Sequence, residues 1–320
     1  MYVPFPLGVG TAFNIRLKSL PSLTFVATAN AISHLGAIPH FVDIEERTFG
    51  ICPNLLEDYL SRNAFSKNGI TYNKKTQRII SAIIPVHIFG IPAKIKEIVS
   101  VAKIWNIKVI EDAAEALGSF SGKVHCGLIG DIGVLSFNGN KIITCGGGGA
   151  LITNNPKYAQ KAKHFSTTAK LPHAFELMHD EIAWNDRLPN INAALGVAQL
   201  EVFDSILYKK NLLANRYDEC FSNKYPLKLI KPLPKDKTNY WLNTLQITEK
   251  KISDSKSLRE KLLINCISQN IFLRPVWKPL HKLKMYKNNP RSNMKNTLKA
   301  SYSLINLPSS YSLMNEKESK

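Results

Sequence analysis

Several common sequence signals are missing from this chain of 320 residues. No segment approaches the roughly 18 consecutive apolar residues of a membrane-spanning helix, so we expect no membrane partner. The first residues lack a charged leader followed by an apolar core and a small-residue cleavage site, which argues against secretion. The five cysteines are scattered without paired spacing, as is typical of reduced thiols. Together these absences predict a cytoplasmic protein.

Acidic residues are few: the chain has 24 Asp and Glu but 42 Lys and Arg, so it carries a surplus of positive charge, with a formal net charge of +18. Such a surplus can indicate a nucleic-acid or membrane partner. Most of it lies in residues 206–320, where 23 basic residues stand against 8 acidic ones. These lysines are spread among Asn, Ser and Leu, with no dense basic run and no ladder of aromatic residues. We therefore expect no nucleic-acid partner, and the charge can instead attract an anionic small molecule.

Strand-like and helix-like segments alternate as far as about residue 205. The predicted strands are Ile38–Ile44, Ile79–His87, Ile107–Glu111, Gly133–Ser136 and Ala150–Thr153. The predicted helices are Val26–Leu35, Lys94–Trp105 and Lys157–Phe165. Apolar strands between helices are typical of a mostly parallel sheet that helices cover on both faces. We therefore predict a large α/β domain over residues 1–205.

A second, smaller domain is predicted over residues 206–320. A long helical stretch that begins at Asn190 leads into it. Within it, Trp241–Thr248 and Phe272–Trp277 resemble strands, and Ser255–Gln269 resembles a helix. Neither a Gly/Ser-rich linker nor an internal repeat marks the boundary. The sequence thus predicts a C-terminal α+β domain.

An acid, a serine and a lysine follow two of the predicted strands. Asp112 comes at the end of one strand, Ser136 ends another, and Lys141 lies in the loop after it. Open α/β sheets bind ligands at such strand ends. Pyridoxal phosphate needs a carboxylate at its ring nitrogen, donors to its phosphate and an amine that condenses with its aldehyde. Taken singly, each residue has an ordinary alternative: a turn or helix cap for the aspartate, a solvated charge for the lysine.

The chain resembles the DegT/DnrJ/EryC1/StrS family of sugar-nucleotide aminotransferases, and within it the LegC-like branch. The matching stretches are SLTFVATANAISHLGAIPHFVDI, IIPVHIFGIPA, VIEDAAEALG, LSFNGNKIITCGGGG, NDRLPNINAALGVAQLE, LRPVWKPLHKL and INLPSS. The resemblance implies a pyridoxal-phosphate-dependent transferase of fold type I with a smaller C-terminal domain. The family motif is an aromatic residue, an Asp, a Gln or Glu, a Ser and a Lys. These fall here on Phe25, Asp112, Glu115, Ser136 and Lys141.

The resemblance also implies a role for each of these residues. Lys141 would bind the cofactor's aldehyde and then carry the proton between the substrate and the cofactor. Asp112 would pair with the ring nitrogen, Glu115 would lie near the ring hydroxyl, and Ser136 would hold the phosphate. Phe25 would stack on the ring, although a phenylalanine in an apolar segment is by default a core residue.

Four further residues are expected to contact ligands. Asn185 would reach the phosphate of the neighbouring subunit's cofactor, which implies a homodimer with shared active sites. Its alternative, beside Pro189, is a helix-entry residue. His87, Trp277 and His281 are expected to face the sugar nucleotide. The alternatives are a structural hydrogen-bond donor for His87 and domain packing for Trp277 and His281.

By this resemblance the protein is predicted to transfer an amino group from glutamate to the C4 ketone of a nucleotide-linked 4-keto-6-deoxy sugar. The LegC-like stretches favour a UDP-N-acetylhexosamine derivative that is used for a cell-surface sugar. Lys141 sets the chain apart from the sugar dehydratases of the same group, which carry histidine at this position.

The start of the chain departs from the family pattern. Members have a Gly-Thr-Ala phosphate cup followed by a full helix and a strand. Here Gly10-Thr11-Ala12 is followed by only nine residues before Ser22. Three turns of helix and a strand do not fit into that length. The alternative hypothesis is therefore a non-catalytic remnant that does not bind pyridoxal phosphate productively.

Overall fold

The structure is a computed structural model that describes residues 16–222 and 224–314. In chain order, the α-helices are α1 (Ala27–His34), α2 (Pro53–Asn63), α3 (Ile95–Ile104), α4 (Pro156–Ser166), α5 (Asn190–Glu201), α6 (Phe203–Phe221), α7 (Ile252–Ser268) and α8 (Lys295–Ser303). The strands are β1 (Leu17–Pro21), β2 (Ile38–Val42), β3 (Ala64–Lys67), β4 (Ile70–Asn73), β5 (Ile80–Ile83), β6 (Lys108–Asp112), β7 (Phe120–Ser121), β8 (Val124–His125), β9 (Ile132–Ser136), β10 (Gly149–Ile152), β11 (Lys170–Leu171), β12 (Met178–His179), β13 (Leu227–Leu229), β14 (Thr244–Ile247), β15 (Arg274–Pro275) and β16 (Leu304–Asn306). Within the described ranges no helix is both long and apolar enough to cross a membrane.

Six strands form the main sheet, in the spatial order β10-β9-β6-β5-β1-β2. Neighbouring strands are parallel except for β9 and β10, which are antiparallel. Helices cover both faces of this sheet, since Leu17 of β1 packs with α2 and α3 whereas Leu20 packs with α1. Leu17 and Leu20 lie on opposite faces because successive side chains of a strand alternate between the two faces of the sheet. The predicted α/β fold with a mostly parallel sheet is therefore confirmed.

Local sequence sets where several helices begin. Pro53 and Pro156 occupy the first turn of α2 and α4, where a missing N–H leaves no hydrogen bond unmade. The Asn155 side chain caps α4 by accepting hydrogen bonds from the backbone N–H groups of Lys157 and Tyr158. In α3, Ile95, Ile98, Val101 and Ala102 are buried, a helical spacing that turns one apolar face toward the sheet.

A second sheet of four antiparallel strands has the order β13-β14-β16-β15. Its core contains Leu229, Leu245 and Leu307, and side chains of α6 pack against it. The predicted domain boundary near residue 206 falls inside α6. Later in the chain, the backbone N–H groups of Thr297 and Asn296 donate to the side chain of Asp43, which follows β2 of the main sheet, at 2.8 Å and 2.9 Å. The boundary between residues 205 and 206 stays a prediction.

The structure differs from the sequence-based assignment in several elements, and α2, β3, β4, α8 and β16 are among those not predicted. The predicted helical stretch from Asn190 is broken at Val202, which separates α5 from α6. The strand predicted at Phe272–Trp277 is limited to Arg274–Pro275. Strand β1 was not predicted, yet it lies between β5 and β2 in the main sheet. The expected phosphate cup, Gly10-Thr11-Ala12, lies outside the described residues.

Four consecutive glycines, residues 146–149, lead into β10 and allow two backbone segments to approach closely. Gly148 has a φ of +94°, in the region that favours glycine. A Cβ atom on Gly149 would lie 2.5 Å from the carbonyl oxygen of Leu135 in β9. The run thus permits the chain to turn tightly from the Lys141 loop into an antiparallel edge strand.

Candidate active site

A cavity of about 560 Å³ is lined at the carboxyl ends of β6 and β9 by Asp112 and Ser136. Because β6 and β9 are parallel neighbours, their ends meet at one edge of the sheet. Six of the nine predicted site residues line this cavity: Phe25, Asp112, Glu115, Ser136, Lys141 and Trp277. The structure thus brings together residues that lie far apart in the sequence.

Two hydrogen bonds fix the carboxylate of Asp112. Its Oδ2 atom accepts from the Thr28 hydroxyl at 2.6 Å, and its Oδ1 atom accepts from the Ala114 N–H at 3.1 Å. Thr28 also lines the cavity and was not predicted. The available signal was its position in the first turn of α1, three residues after Phe25 in the chain.

Glu115 and Lys141 form the charged centre of the cavity. The Lys141 Nζ atom lies 3.9 Å from Glu115 Oε1, and both side chains are almost fully buried. The N–H of Phe89 donates to Glu115 Oε2 at 2.8 Å. Burial raises the pKa of Glu115 to about 7, although the charge of Lys141 and the Phe89 N–H oppose this shift. Near neutral pH this carboxyl group can therefore both hold and release a proton.

Trp241 contacts the same lysine from the C-terminal part of the chain. The Lys141 Nζ atom lies 4.3 Å from the centre of its ring, and the indole N–H donates to the Asn140 carbonyl at 2.7 Å. Trp241 was predicted to lie in a strand and was assigned no role at the site, but the strand, β14, begins at Thr244. The contact is purely tertiary, so no local pattern could reveal it.

Aromatic rings form another wall of the cavity. Phe25 is 50% exposed, and its ring centre lies 6.5 Å from that of Trp277. Trp277 stacks on Phe89 with ring centres 5.5 Å apart and planes 11° from parallel. The exposed ring of Phe25 is thus available to a planar ligand, and Trp277 is held in place from behind by a buried phenylalanine.

Neither predicted histidine lines the cavity. His87 is fully buried, and its Nε2 atom lies 2.9 Å from Glu111 Oε2 while its Nδ1 accepts the Ala93 N–H at 3.1 Å. His281 Nδ1 lies 2.7 Å from the Ser22 hydroxyl, and burial lowers the pKa of His281 to about 4. The predicted contacts of His87 and His281 with the sugar nucleotide stay a prediction, since neither side chain lines this cavity. Both are buried hydrogen-bonding residues of the framework.

Asn185 also lies outside the cavity. It is exposed, and its backbone pairs with Thr167 in an isolated bridge just before α5. It does not line the cavity of its own chain, and its predicted contact with a neighbouring subunit's cofactor stays a prediction.

The lining residues fit pyridoxal phosphate. A carboxylate (Asp112), an amine (Lys141) and a hydroxyl group (Ser136) line one cavity beside an exposed ring (Phe25), which is the donor set that the cofactor requires. No group of three or more His, Cys, Asp or Glu side chains in residues 16–222 and 224–314 is arranged to hold a metal ion. The fold and the site together define a pyridoxal-phosphate-dependent transferase of fold type I.

The chain belongs to the DegT/DnrJ/EryC1/StrS aminotransferase family, whose model matches residues 19–320. This confirms the resemblance noted in the sequence. The matching family model is described as an aminotransferase family, and a relative is named as a pyridoxal-phosphate-dependent aminotransferase, so the predicted cofactor and class of enzyme are also confirmed.

Two relatives and two solved structures illustrate the similarity. EpsN of Bacillus subtilis, named as a pyridoxal phosphate-dependent aminotransferase, is 36% identical over 260 residues, which are 81% of this chain and 63% of EpsN. The GDP-perosamine synthase of Escherichia coli O157:H7 is 34% identical over 301 residues, 93% of this chain and 75% of that protein. The chain therefore spans just under two thirds of the length of EpsN.

The fold is similar to that of two solved aminotransferases. A DegT/DnrJ/EryC1/StrS aminotransferase from Brucella abortus has a TM-score of 0.82 and 25% identity, covering 95% of this chain and 76% of that one. PseC of Helicobacter pylori, an aminotransferase of pseudoaminic acid biosynthesis, has a TM-score of 0.83 and 24% identity, covering 97% and 78%. The likeness to PseC shows a shared fold.

Proposed function

We propose that the protein transfers an amino group from glutamate to the C4 keto group of a nucleotide-linked 4-keto-6-deoxy sugar. The observation that carries this proposal is the convergence of Asp112, Glu115 and Lys141 in one cavity. When bound, pyridoxal phosphate supplies the electron sink that makes loss of a proton from the substrate carbon possible.

The residues of the cavity have distinct tasks in this reaction. Lys141 would bind the cofactor through its amine and would carry the proton to and from the substrate carbon. Asp112, whose carboxylate accepts a hydrogen bond from Thr28, would pair with the ring nitrogen of the cofactor and keep it protonated. Glu115 would interact with the ring hydroxyl, Ser136 would donate to the phosphate, and Phe25 would stack on the ring.

The substrate that we propose is a nucleotide sugar, with a UDP-N-acetylhexosamine derivative as the first choice. Support comes from the LegC-like stretches and from a relative that is named for a GDP-linked sugar. Arg274 lines the cavity from β15 and is exposed, so its guanidinium is available to a diphosphate. Trp277, beside it, gives a flat surface to the sugar or the base. The product would serve cell-surface sugar synthesis.

We also infer a homodimer with shared active sites. Helix α5 buries only Gly196 and leaves Ile191, Leu195 and Leu200 exposed. An exposed apolar surface of this kind marks a protein interface. Asn185 lies five residues before this helix, where it could reach the neighbouring subunit's site. All five cysteines are free, which supports a location in the reducing cytoplasm.

The cofactor test separates the enzyme from a non-catalytic remnant. Protein purified with pyridoxal phosphate should be yellow, and borohydride should attach the cofactor to the peptide that contains Lys141, but not in Lys141→Ala. The loaded protein should then transfer nitrogen from labelled glutamate to a 4-keto sugar linked to UDP or to GDP, which identifies the nucleotide. A colourless protein that takes up no cofactor would support the remnant instead.

A further inference from the structure

We propose that Trp241 is a positioning residue for Lys141: its ring face holds the lysine's ammonium group, and its indole N–H holds the loop that carries the lysine. This role rests on the proposed function, because it matters when the Lys141 amine is not bonded to the cofactor. It concerns a residue of the C-terminal part that the family motif does not include.

The ring contact places the amine next to an aromatic face. The Lys141 Nζ atom lies 4.3 Å from the centre of the Trp241 ring and 3.9 Å from Glu115 Oε1. A cation within about 6 Å of an aromatic ring centre is attracted by the ring quadrupole, most strongly for tryptophan. The Lys141 side chain is 12% exposed, so water screens this attraction little.

The ring and the carboxylate hold the amine in different ways. A carboxylate can take the lysine's proton, and burial raises the pKa of Glu115 to about 7, so its negative charge is incomplete near neutral pH. A tryptophan ring stabilises the cation and cannot take its proton. Trp241 therefore keeps a protonated Lys141 in place even when Glu115 is protonated.

The indole N–H fixes the backbone beside the same lysine. It donates to the carbonyl oxygen of Asn140 at 2.7 Å, and the Lys141 N–H donates to Asn138 at 3.0 Å. One side chain thus holds both the amine of Lys141 and the peptide group that precedes it.

Two hydrogen bonds hold the backbone of Trp241 itself. The backbone N–H of Trp241 donates to Asn239 Oδ1 at 2.8 Å, and the Asn239 side-chain amide donates to the backbone carbonyl of Glu115 at 2.8 Å. The Trp241 carbonyl accepts from the buried Lys210 amine of α6 at 2.9 Å. Burial lowers the pKa of Lys210 to about 7. These contacts tie the tryptophan to the Glu115 segment, so its ring has little freedom to leave Lys141.

Chemical labelling of Lys141 in the cofactor-free protein tests the ring contact without any transamination. Trinitrobenzenesulfonate reacts with neutral amines, and peptide mass spectrometry reports its rate at Lys141 over a series of pH values. In Trp241→Leu, labelling near pH 8 should be about fivefold faster than in the wild type, because the ammonium form loses a cation–π contact. The pH at half-maximal labelling should fall.

Trp277→Leu is the matched control, because Trp277 lines the same cavity without a contact to the Lys141 amine. If the substitution only made the Lys141 amine more accessible, the labelling rate would rise by the same factor at every pH. The rise would then be similar in Trp241→Leu and Trp277→Leu. An unchanged pH at half-maximal labelling in Trp241→Leu would overturn the ring contact.

Trp241→Phe tests the second contact and covers the case in which the leucine variant does not fold. It retains an aromatic face and loses the N–H donor, so its labelling profile should shift less. Hydrogen–deuterium exchange in residues 138–143 should nevertheless become faster than in the wild type and in Trp277→Leu. Unaltered exchange in Trp241→Phe would refute the role of the indole N–H.

Discussion

Glu115 shows how the environment of one residue can set a pH dependence for the whole fold. Burial raises its pKa from 4.5 to about 7. Between these values the folded protein keeps a proton that the unfolded chain has released. The stability that Glu115 contributes is therefore complete below about pH 4.5 and is lost as the pH rises through 7.

Glu115→Gln should remove this dependence. The amide remains neutral at every pH, and its oxygen can still accept the Phe89 N–H. Urea unfolding of the cofactor-free proteins should show that the variant gains on the wild type by roughly 3 kcal/mol between pH 4.5 and pH 7.5. Parallel pH profiles for the two proteins would contradict the assignment.

Site residues that follow predicted strands could be predicted from the sequence. A residue that reaches the site only through tertiary packing could not. Asp112 and Ser136 were predicted because each ends an apolar strand, and Lys141 because it lies in the next loop. Trp241 was missed since its approach to Lys141 depends on how the C-terminal part folds back. For His87 the sequence left two orientations open, because a strand-end histidine can turn either to the cavity or to the core, and here it contacts buried Glu111.

At the scale of elements, β2 and β9 were predicted from their mainly apolar residues, whereas β1 was not. Residues 38–42 and 132–136 form β2 and β9 largely as expected. Strand β1 has the sequence LKSLP, whose lysine, serine and proline give no strand pattern. It is held by its position between β5 and β2, which pair with it on both sides.

The turn from β9 into β10 depends more on Gly149 than on Gly147. In Gly149→Ala the new Cβ would lie 2.5 Å from the Leu135 carbonyl, a backbone atom that cannot move aside. We expect a loss of about 1–3 kcal/mol in the free energy of unfolding. Gly147→Ala is the matched control, since nothing lies within 4 Å of its added Cβ, and it should change stability by less than about 0.5 kcal/mol. Equal losses in both variants would show that the close approach at Gly149 does not matter.

At the scale of the whole molecule, we propose that one chain does not complete its own site. Asn185 is exposed and does not line the cavity of its own chain, while α5 beside it has an unburied apolar face. In a two-fold dimer, the same surface of each subunit meets the other. Each Asn185 can then serve the opposite cavity, so that two sites share residues from both chains.

A mixture of two defective variants distinguishes shared sites from independent ones. Lys141→Ala should be inactive, and Asn185→Ala should bind the cofactor weakly. After the two are unfolded, mixed in equal amounts and refolded, half of the dimers should contain one chain of each kind. If Asn185 acts on the opposite subunit, each mixed dimer has one intact site, and about a quarter of the wild-type activity should return. If Asn185 acts within its own chain, every site remains defective and the mixture gains nothing over the separate variants.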